Sequence, residues 1–185
     1  VMEKCQGGEV FQRIVEQKFF SEASAAMLVR QMLLAVQYIH SFRIVHRDIK
    51  AENFLLLGKS IDSPLKMIDL GMAVQIPDDD SYLDELCGSP HYLAPELIGQ
   101  QYRQHVDMWS IGILLYLLLF GRYPYDGPTP QEIMMKILME RVDYKHPGQD
   151  VHLSDEIIHM IKGCLEPHPL ERLSANKALE HPWLK

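Results

Sequence analysis

The clearest periodic signal runs through "SEASAAMLVRQMLLAVQYIHSF", residues 21–42, where Ala26, Val29, Leu33, Val36 and Ile39 recur at helical spacing. It predicts a long amphipathic helix with Ser21 as N-cap and Ser24 as a second candidate within the first turn. "WSIGILLYLLLF", residues 109–120, is apolar on every face. That run is too short for a membrane span, which needs about 20 residues, so it predicts a helix buried on all sides. Further helical patterns occupy residues 131–141, 154–166 and 174–179. Between the two long helices the pattern changes to short β-like pieces, residues 44–48 and 54–57, on either side of a charged loop. "LKMIDLG" alternates and then stops at Asp69 and Gly71, as a strand ending at a turn does. Residues 1–5 read as a strand end, Gly7-Gly8 as a turn, and a helix is expected from near Glu9. Residues 72–96 have little periodicity, two acidic clusters and three prolines, the signature of a functional or mobile segment. The expectation is one mainly α (α+β) domain, largely helical in its second half, with short β-hairpins around the charged loop and no internal repeat.

Composition narrows the function classes. The 185 residues are 47% hydrophobic and 23% charged, ordinary for a globular domain, and the formal net charge of -7 argues against a nucleic-acid partner. Three cysteines, Cys5, Cys87 and Cys164, are odd in number and lack CxxC spacing, which suggests a reducing, intracellular and cytoplasmic setting. Of the nine histidines only His146 and His152 lie near one another in sequence, without a metal motif, and scattered surface histidines are expected. No transmembrane segment or signal peptide is expected. The chain opens on "VMEKC" without an initiator Met, so it reads as a fragment or processed piece.

The chemistry sits in "IVHRDIKAENFLLL" and the following "DLG". Phosphoryl transfer needs a carboxylate to orient the attacking hydroxyl, hard oxygen ligands for a cation, and positioning. Asp48 suits the first role, Asn53 and Asp69 the second as magnesium ligands, and Lys50 can stand beside the transferred group as a point charge. The competing reading is a loop of solvated charges.

"HRDIKAEN", "DLG" and "APE" in this order, with "DMWSIG" and "HPLER" downstream, resemble the signature set of eukaryotic protein kinases. The resemblance covers essentially the whole chain and implies a protein-kinase C-terminal lobe preceded by the hinge, with the N-terminal lobe absent: residues 1–185 as a partial kinase domain. It implies ATP and Mg2+ as cofactors, with Asp48, Lys50 and Asn53 catalytic. Met2, Glu3, Cys5, Glu9, Glu52, Asn53, Leu55 and Asp69 fall in the nucleotide-site set, Met2 as gatekeeper and the main chain of Glu3 and Cys5 on adenine. Glu9 would reach the ribose or a substrate arginine; it reads equally well as a first-turn carboxylate favoured by the helix dipole. No GxGxxG occurs anywhere in the chain, so the Gly-rich loop, strand lysine and helix glutamate of a kinase are expected before residue 1, and the isolated chain is expected to be inactive.

By the same resemblance Arg47 would bind an activation-loop phosphate. The position that usually carries it is Glu85, which suggests a loop active without modification; the alternative is an exposed Glu in an acidic loop. Ser81 and Tyr82 remain candidate modification sites. Ser89 resembles the residue that marks serine/threonine kinases, and Leu86, Pro90 and Leu93 would line a pocket for the residue after the phosphoacceptor. Glu9 and Glu52 suggest protein substrates with basic residues before the acceptor. Glu96 with Arg172 matches a structural ion pair, Asp107 a buried anchor, and His46 a packed residue. "DLG" departs from the usual phenylalanine at Leu70, and Ala51 replaces a common proline. "ENFLLLGKSIDSPLKMIDLG", "GGEVFQRI" and "HPW" look most like the calcium/calmodulin-dependent or calcium-dependent protein kinase group. The chain holds no EF-hand, so a calcium-sensing segment would lie beyond Lys185. The alternative function is a pseudokinase-like binding or scaffold module, and a truncated interaction fragment is a further rival.

Overall fold

The fully apolar run becomes the central helix α4, His105–Phe120, in which every residue from Val106 to Phe120 is buried. Each Leu or Ile buried there contributes about 2 kcal/mol from leaving water. The computed structural model of the chain describes residues 3–78, 80–145 and 152–185; Met2 and His146 lie outside them. The long periodic segment forms α2, Glu22–Ser41, with Ser21 Oγ accepting from the Ser24 N–H as its cap. Both α2 and α6, Asp155–Cys164, pack on α4. Gly112 sets how closely α6 approaches: a Cβ there would lie 2.8 Å from the Cβ of Cys164 and 2.8 Å from Leu165 Cδ2, inside any tolerable contact in a close-packed interior.

The shorter helices are α1, Val10–Gln17; α3, Pro95–Ile98; α5, Pro130–Met139; and α7, Ala175–Leu179. Thr129, Ser154 and Ser174 cap α5, α6 and α7 through their side chains, satisfying N–H groups that would otherwise have no partner.

Two small antiparallel sheets position the charged loop. One has the order β1-β3-β4, from Gly8–Glu9, Phe54–Leu56 and Leu65–Met67, with Phe54 opposite Met67 and Leu55 opposite Lys66. The other pairs β2, Ile44–Val45, with β5, Val74–Gln75, Val45 facing Val74. The loop of residues 46–53 thus runs between the β2–β5 pair and the β3–β4 hairpin, and the segment after Asp69 returns alongside its start.

Three expectations change at this level. Residues 3–5 form no strand; pairing begins at Gln6 and Gly7, whose N–H groups bond Leu57 O and Leu56 O at 2.9 Å. The glycine pair is where the chain presses onto the β3–β4 hairpin, since a Cβ on Gly7 would fall 2.0 Å from Gly58 O. The alternating "LKMIDLG" strand ends at Met67, leaving Asp69 beyond the ladder at φ 61. The aperiodic stretch contains β5 and an isolated bridge between Leu83 and Tyr102. Among the described residues no helix is long and apolar enough to cross a membrane.

Candidate active site

The site is built on Asp107, in the first turn of α4 and 1% exposed. Its Oδ2 accepts the His46 N–H at 2.9 Å and lies 2.8 Å from His40 Nε2; its Oδ1 accepts the Arg47 N–H at 2.9 Å. The central helix therefore fixes the loop backbone directly. Arg47 is left-handed, φ 68, a conformation that costs a non-glycine residue about 1–2 kcal/mol and is offset here by that anchoring.

The Arg47 side chain crosses to the segment after Asp69. Nε donates to Met72 O at 2.7 Å, and Nη1 donates to Glu85 Oε2 at 2.8 Å and to Tyr102 Oη at 3.2 Å. Tyr102 Oη in turn donates to Glu85 O at 2.7 Å. Burial lowers the proton affinity of Arg47, but the bonds to Tyr102 and Glu85 outweigh it, and its pKa stands above the usual arginine value. Burial pushes the Tyr102 phenol up to about 12, so it stays a donor. Gly88, φ 103, passes so close that a Cβ would meet Arg47 O at 2.6 Å, and glycine is required there.

Asp48, 6% exposed, joins Lys50 and Ser89 in a closed triangle. Lys50 Nζ donates to Asp48 Oδ2 at 2.7 Å and to Ser89 Oγ at 3.1 Å, and Ser89 Oγ donates to Asp48 Oδ1 at 2.8 Å. Burial acts to lower the Lys50 pKa, but Asp48, through its hydrogen bond and charge, with help from the charges of Glu52 and Asp69, leaves it raised. The triangle holds a carboxylate, an ammonium and a hydroxyl in register, ready to orient a second hydroxyl.

Asn53 Nδ2 donates to Asp48 O at 2.9 Å and approaches Asp48 Oδ2 at 3.4 Å. With its NH2 turned to Asp48, the amide oxygen is left as a hard donor for a cation. The hairpin brings Asp69 to the same end of the sheet: the Ile68 N–H bonds Asn53 O at 2.9 Å, and Asp69 Oδ1 accepts the Gly71 N–H at 3.1 Å. Among the described residues no group of three or more His, Cys, Asp or Glu could hold a metal ion by itself. One carboxylate and one amide oxygen are nonetheless the donor set a Mg2+ takes when phosphates and water complete its shell.

The other predicted residues are placed as follows. Glu3 is exposed and pairs with Lys66 at 3.0 Å, Cys5 is half-buried, and Leu55 is half-buried opposite Glu9. Glu9 is exposed at the start of α1 and makes no side-chain cap. Glu52 is half-buried, its Oε2 fully shielded without a partner, and its charge acts on Lys50, Tyr92 and Tyr123. Leu86 is 47% exposed, Pro90 opens the short turn after Ser89, and Leu93 is buried in the core. Arg172 grips Glu96 with both terminal nitrogens, at 2.5 and 2.9 Å.

Sequence reasoning missed Tyr102 and His40, whose partners come from distant segments. The expectation of scattered surface histidines is corrected at two positions: His181 is buried and His40 is bonded to Asp107, while His46 is buried, in keeping with its reading as a packed residue. A buried imidazole is tolerated where its ring nitrogens find partners. His181 does so, with Nε2 2.8 Å from His159 Nδ1 and Nδ1 accepting the Trp183 N–H.

Comparison with known proteins gives a consistent result. The protein kinase domain model matches residues 1–184. The chain is 42% identical over 188 residues to calcium-dependent protein kinase 21 of Oryza sativa subsp. japonica, covering 100% of this chain and 32% of that protein. It is 41% identical over 186 residues to calcium-dependent protein kinase 25 of Arabidopsis thaliana, covering 100% of this chain and 35% of that one. The chain thus spans about a third of the length of these curated relatives.

Proposed function

The chain belongs to the protein kinase domain family, and on that premise we propose that it serves as the hinge and C-terminal lobe of an ATP-dependent serine/threonine protein kinase. The observation that carries this reading is the Asp48–Lys50–Ser89 triangle, 2.7–3.1 Å on each side, with Asn53 and Asp69 brought to it by one hairpin. In this reading Asp48 accepts a hydrogen bond from the substrate hydroxyl and receives its proton as the γ-phosphoryl group is transferred. Lys50 stands beside the transferred group. Asn53 and Asp69 would hold Mg2+, which neutralises phosphate charge when bound. Ser89 orients Asp48 and Lys50, the role expected of a serine/threonine rather than a tyrosine kinase. Glu3, Cys5, Glu9, Leu55 and the gatekeeper position Met2 belong to the nucleotide side.

Glu85 beside Arg47 supports a loop ordered without phosphorylation, since a carboxylate already occupies the place of the phosphate. The shielded oxygen of Glu52, together with exposed Glu9, supports a preference for basic residues before the acceptor. The relatives' names carry calcium dependence; for this chain, calcium control through a segment following Lys185 is part of the proposal. So is the inactivity of these 185 residues alone, because they include no glycine-rich phosphate-covering loop.

The test compares γ-phosphoryl transfer from radiolabelled ATP to an arginine-containing peptide. One arm uses these 185 residues; the other uses a polypeptide that joins them to a kinase N-terminal lobe. Transfer is expected only in the second arm, abolished by Asp48→Asn. Robust turnover by the first arm overturns the inactivity, and full activity of Asp48→Asn overturns the site.

A further inference from the structure

Far from the phosphotransfer site, the last turn of the chain is held by a line of imidazole nitrogens. His181, 7% exposed, caps the short turn Pro182–Leu184, its Nδ1 accepting the Trp183 N–H at 3.3 Å. A backbone N–H can only donate, so this nitrogen bears no proton and the neutral ring carries its proton on Nε2. That Nε2 lies 2.8 Å from Nδ1 of His159, an exposed residue of α6. The ring planes are 20° apart with centroids 5.1 Å apart, so the rings meet nearly edge to edge, nitrogen to nitrogen. The direction of both bonds follows. His181 Nε2–H donates to His159 Nδ1, and His159 keeps its own proton on Nε2.

We propose that the His159–His181 pair is an acid-released latch, in which a proton taken up by either ring frees the turn Pro182–Leu184 from α6. Both acceptor nitrogens of the pair are already in use. A proton on His159 Nδ1 sets two N–H groups head to head and breaks the bond between the rings. A proton on His181 Nδ1 faces the Trp183 N–H and breaks the cap. Moving the shared proton across to His159 at the same time does not help, because His181 Nδ1 is then the protonated nitrogen. Every way of adding one proton to the two rings therefore costs at least one of the two bonds.

The groups around the pair agree with this direction. From α6, Asp155 and Glu156 line a cavity of about 350 Å³ together with His159, His181 and Pro182. From α2, Glu22 accepts the Trp183 Nε1–H at 3.1 Å and is also bonded to Ser154. From α7, Lys177 and Glu180 are exposed. Burial lowers the His181 pKa, the His159 ring adds to that, and the Glu156 charge opposes both. The closed turn is thus fully favoured above the ordinary imidazole value of about 6.5, and is lost as pH falls below it toward the depressed one. On the function proposed above a regulatory segment follows Lys185, and the latch then sets where that segment begins; this consequence alone rests on that reading.

The test follows the 185-residue chain by 15N NMR between about pH 7.5 and about pH 5.5. At the neutral end His181 should be protonated on Nε2 alone, with a coupling across the bond to His159 Nδ1. On acidification that coupling should vanish as the exchange protection of the Trp183 amide falls about tenfold, while the Leu114 and Leu115 amides of α4 keep theirs. His181→Asn, whose side-chain oxygen replaces the capping nitrogen, should hold its Trp183 protection constant over the range. His159→Asn retains an acceptor opposite His181 Nε2 and should move the opening to lower pH. A His181 proton on Nδ1 at neutral pH, or Trp183 protection unchanged at the acidic end, overturns the latch. So does loss of protection in step with α4, which is unfolding of the whole chain, or an acid response that persists in His181→Asn. None of these readouts needs the chain's own activity, so failure here leaves the proposed function standing.

Discussion

Two arginine–glutamate pairs tie down the segment between Asp69 and α4, and they are built for opposite purposes. Arg172 and Glu96 meet with side chains 0% and 11% exposed, and Arg172 also donates to His105 O at 2.9 Å and Glu166 O at 2.8 Å. Arg47 and Glu85 meet through one nitrogen, with Glu85 68% exposed. The buried pair has every donor committed to backbone or carboxylate and cannot open without stranding a charge. The exposed pair can exchange Glu85 for water at small cost. Position in the same segment therefore does not decide what an ion pair does; desolvation and the number of committed donors do.

Breaking the buried pair should have the larger effect. Arg172→Ala leaves the Glu96 carboxylate and three backbone carbonyls, those of His105, Glu166 and Pro167, without its donors, and removes a cation 5.1 Å from the Trp109 ring centroid. A loss of about 3–5 kcal/mol is expected, read as a lowered urea midpoint with unchanged slope. A loss below about 1 kcal/mol would put the two pairs in one class.

Glu85→Ala should cost the fold less than about 1 kcal/mol, and less still in high salt. Its effect belongs in activity: removing ~1 kcal/mol from the ordered loop lowers the ratio of ordered to open loop about fivefold, read as a reduced rate of peptide phosphorylation by the complete kinase. An unchanged rate would reduce Glu85 to a solvated carboxylate.

The pairs should also differ in their response to pH. His105, whose carbonyl Arg172 holds, has its pKa lowered by burial first and then by the Arg172 charge; burial and His159 likewise lower that of His181. In the unfolded chain both titrate near about 6.5, so below that value the unfolded state binds more protons than the native state. Stability is then fully present above that unfolded value and is lost as pH falls through the depressed native values. Urea unfolding between neutral and mildly acidic pH should show this decline, with His105→Gln flattening part of it and Glu85→Ala leaving it unaltered. An identical slope in His105→Gln would remove the buried pair from the effect.

What could be read in advance follows the same division between local and distant causes. The α2 helix and its Ser21 cap were legible because spacing and cap lie within one stretch of chain, and α4 because an apolar run with no polar face has only one place to go. The opening strand was misplaced: Gly7 and Gly8 look like a turn, and only the distant hairpin, with Leu56 opposite Gly8, makes them a paired edge. β5 was invisible because two residues carry no period. In the site, Asp48, Lys50 and Asn53 stand within one loop and could be picked out together. The left-handed Arg47 and the Tyr102 phenol depend on backbone direction and on a bridge to Leu83, which no local pattern encodes. His40 was missed because the Asp107 carboxylate it meets lies 67 positions away.

The close contact at Gly112 has a consequence for how the molecule can be watched. It seals Cys164 against α4, fully enclosed, with burial pushing its thiol up to about 12, while Cys5 and Cys87 remain partly open to solvent. A thiol-labelling reagent therefore meets two early sites and one late site, and the late one is a clock for the parting of α4 and α6.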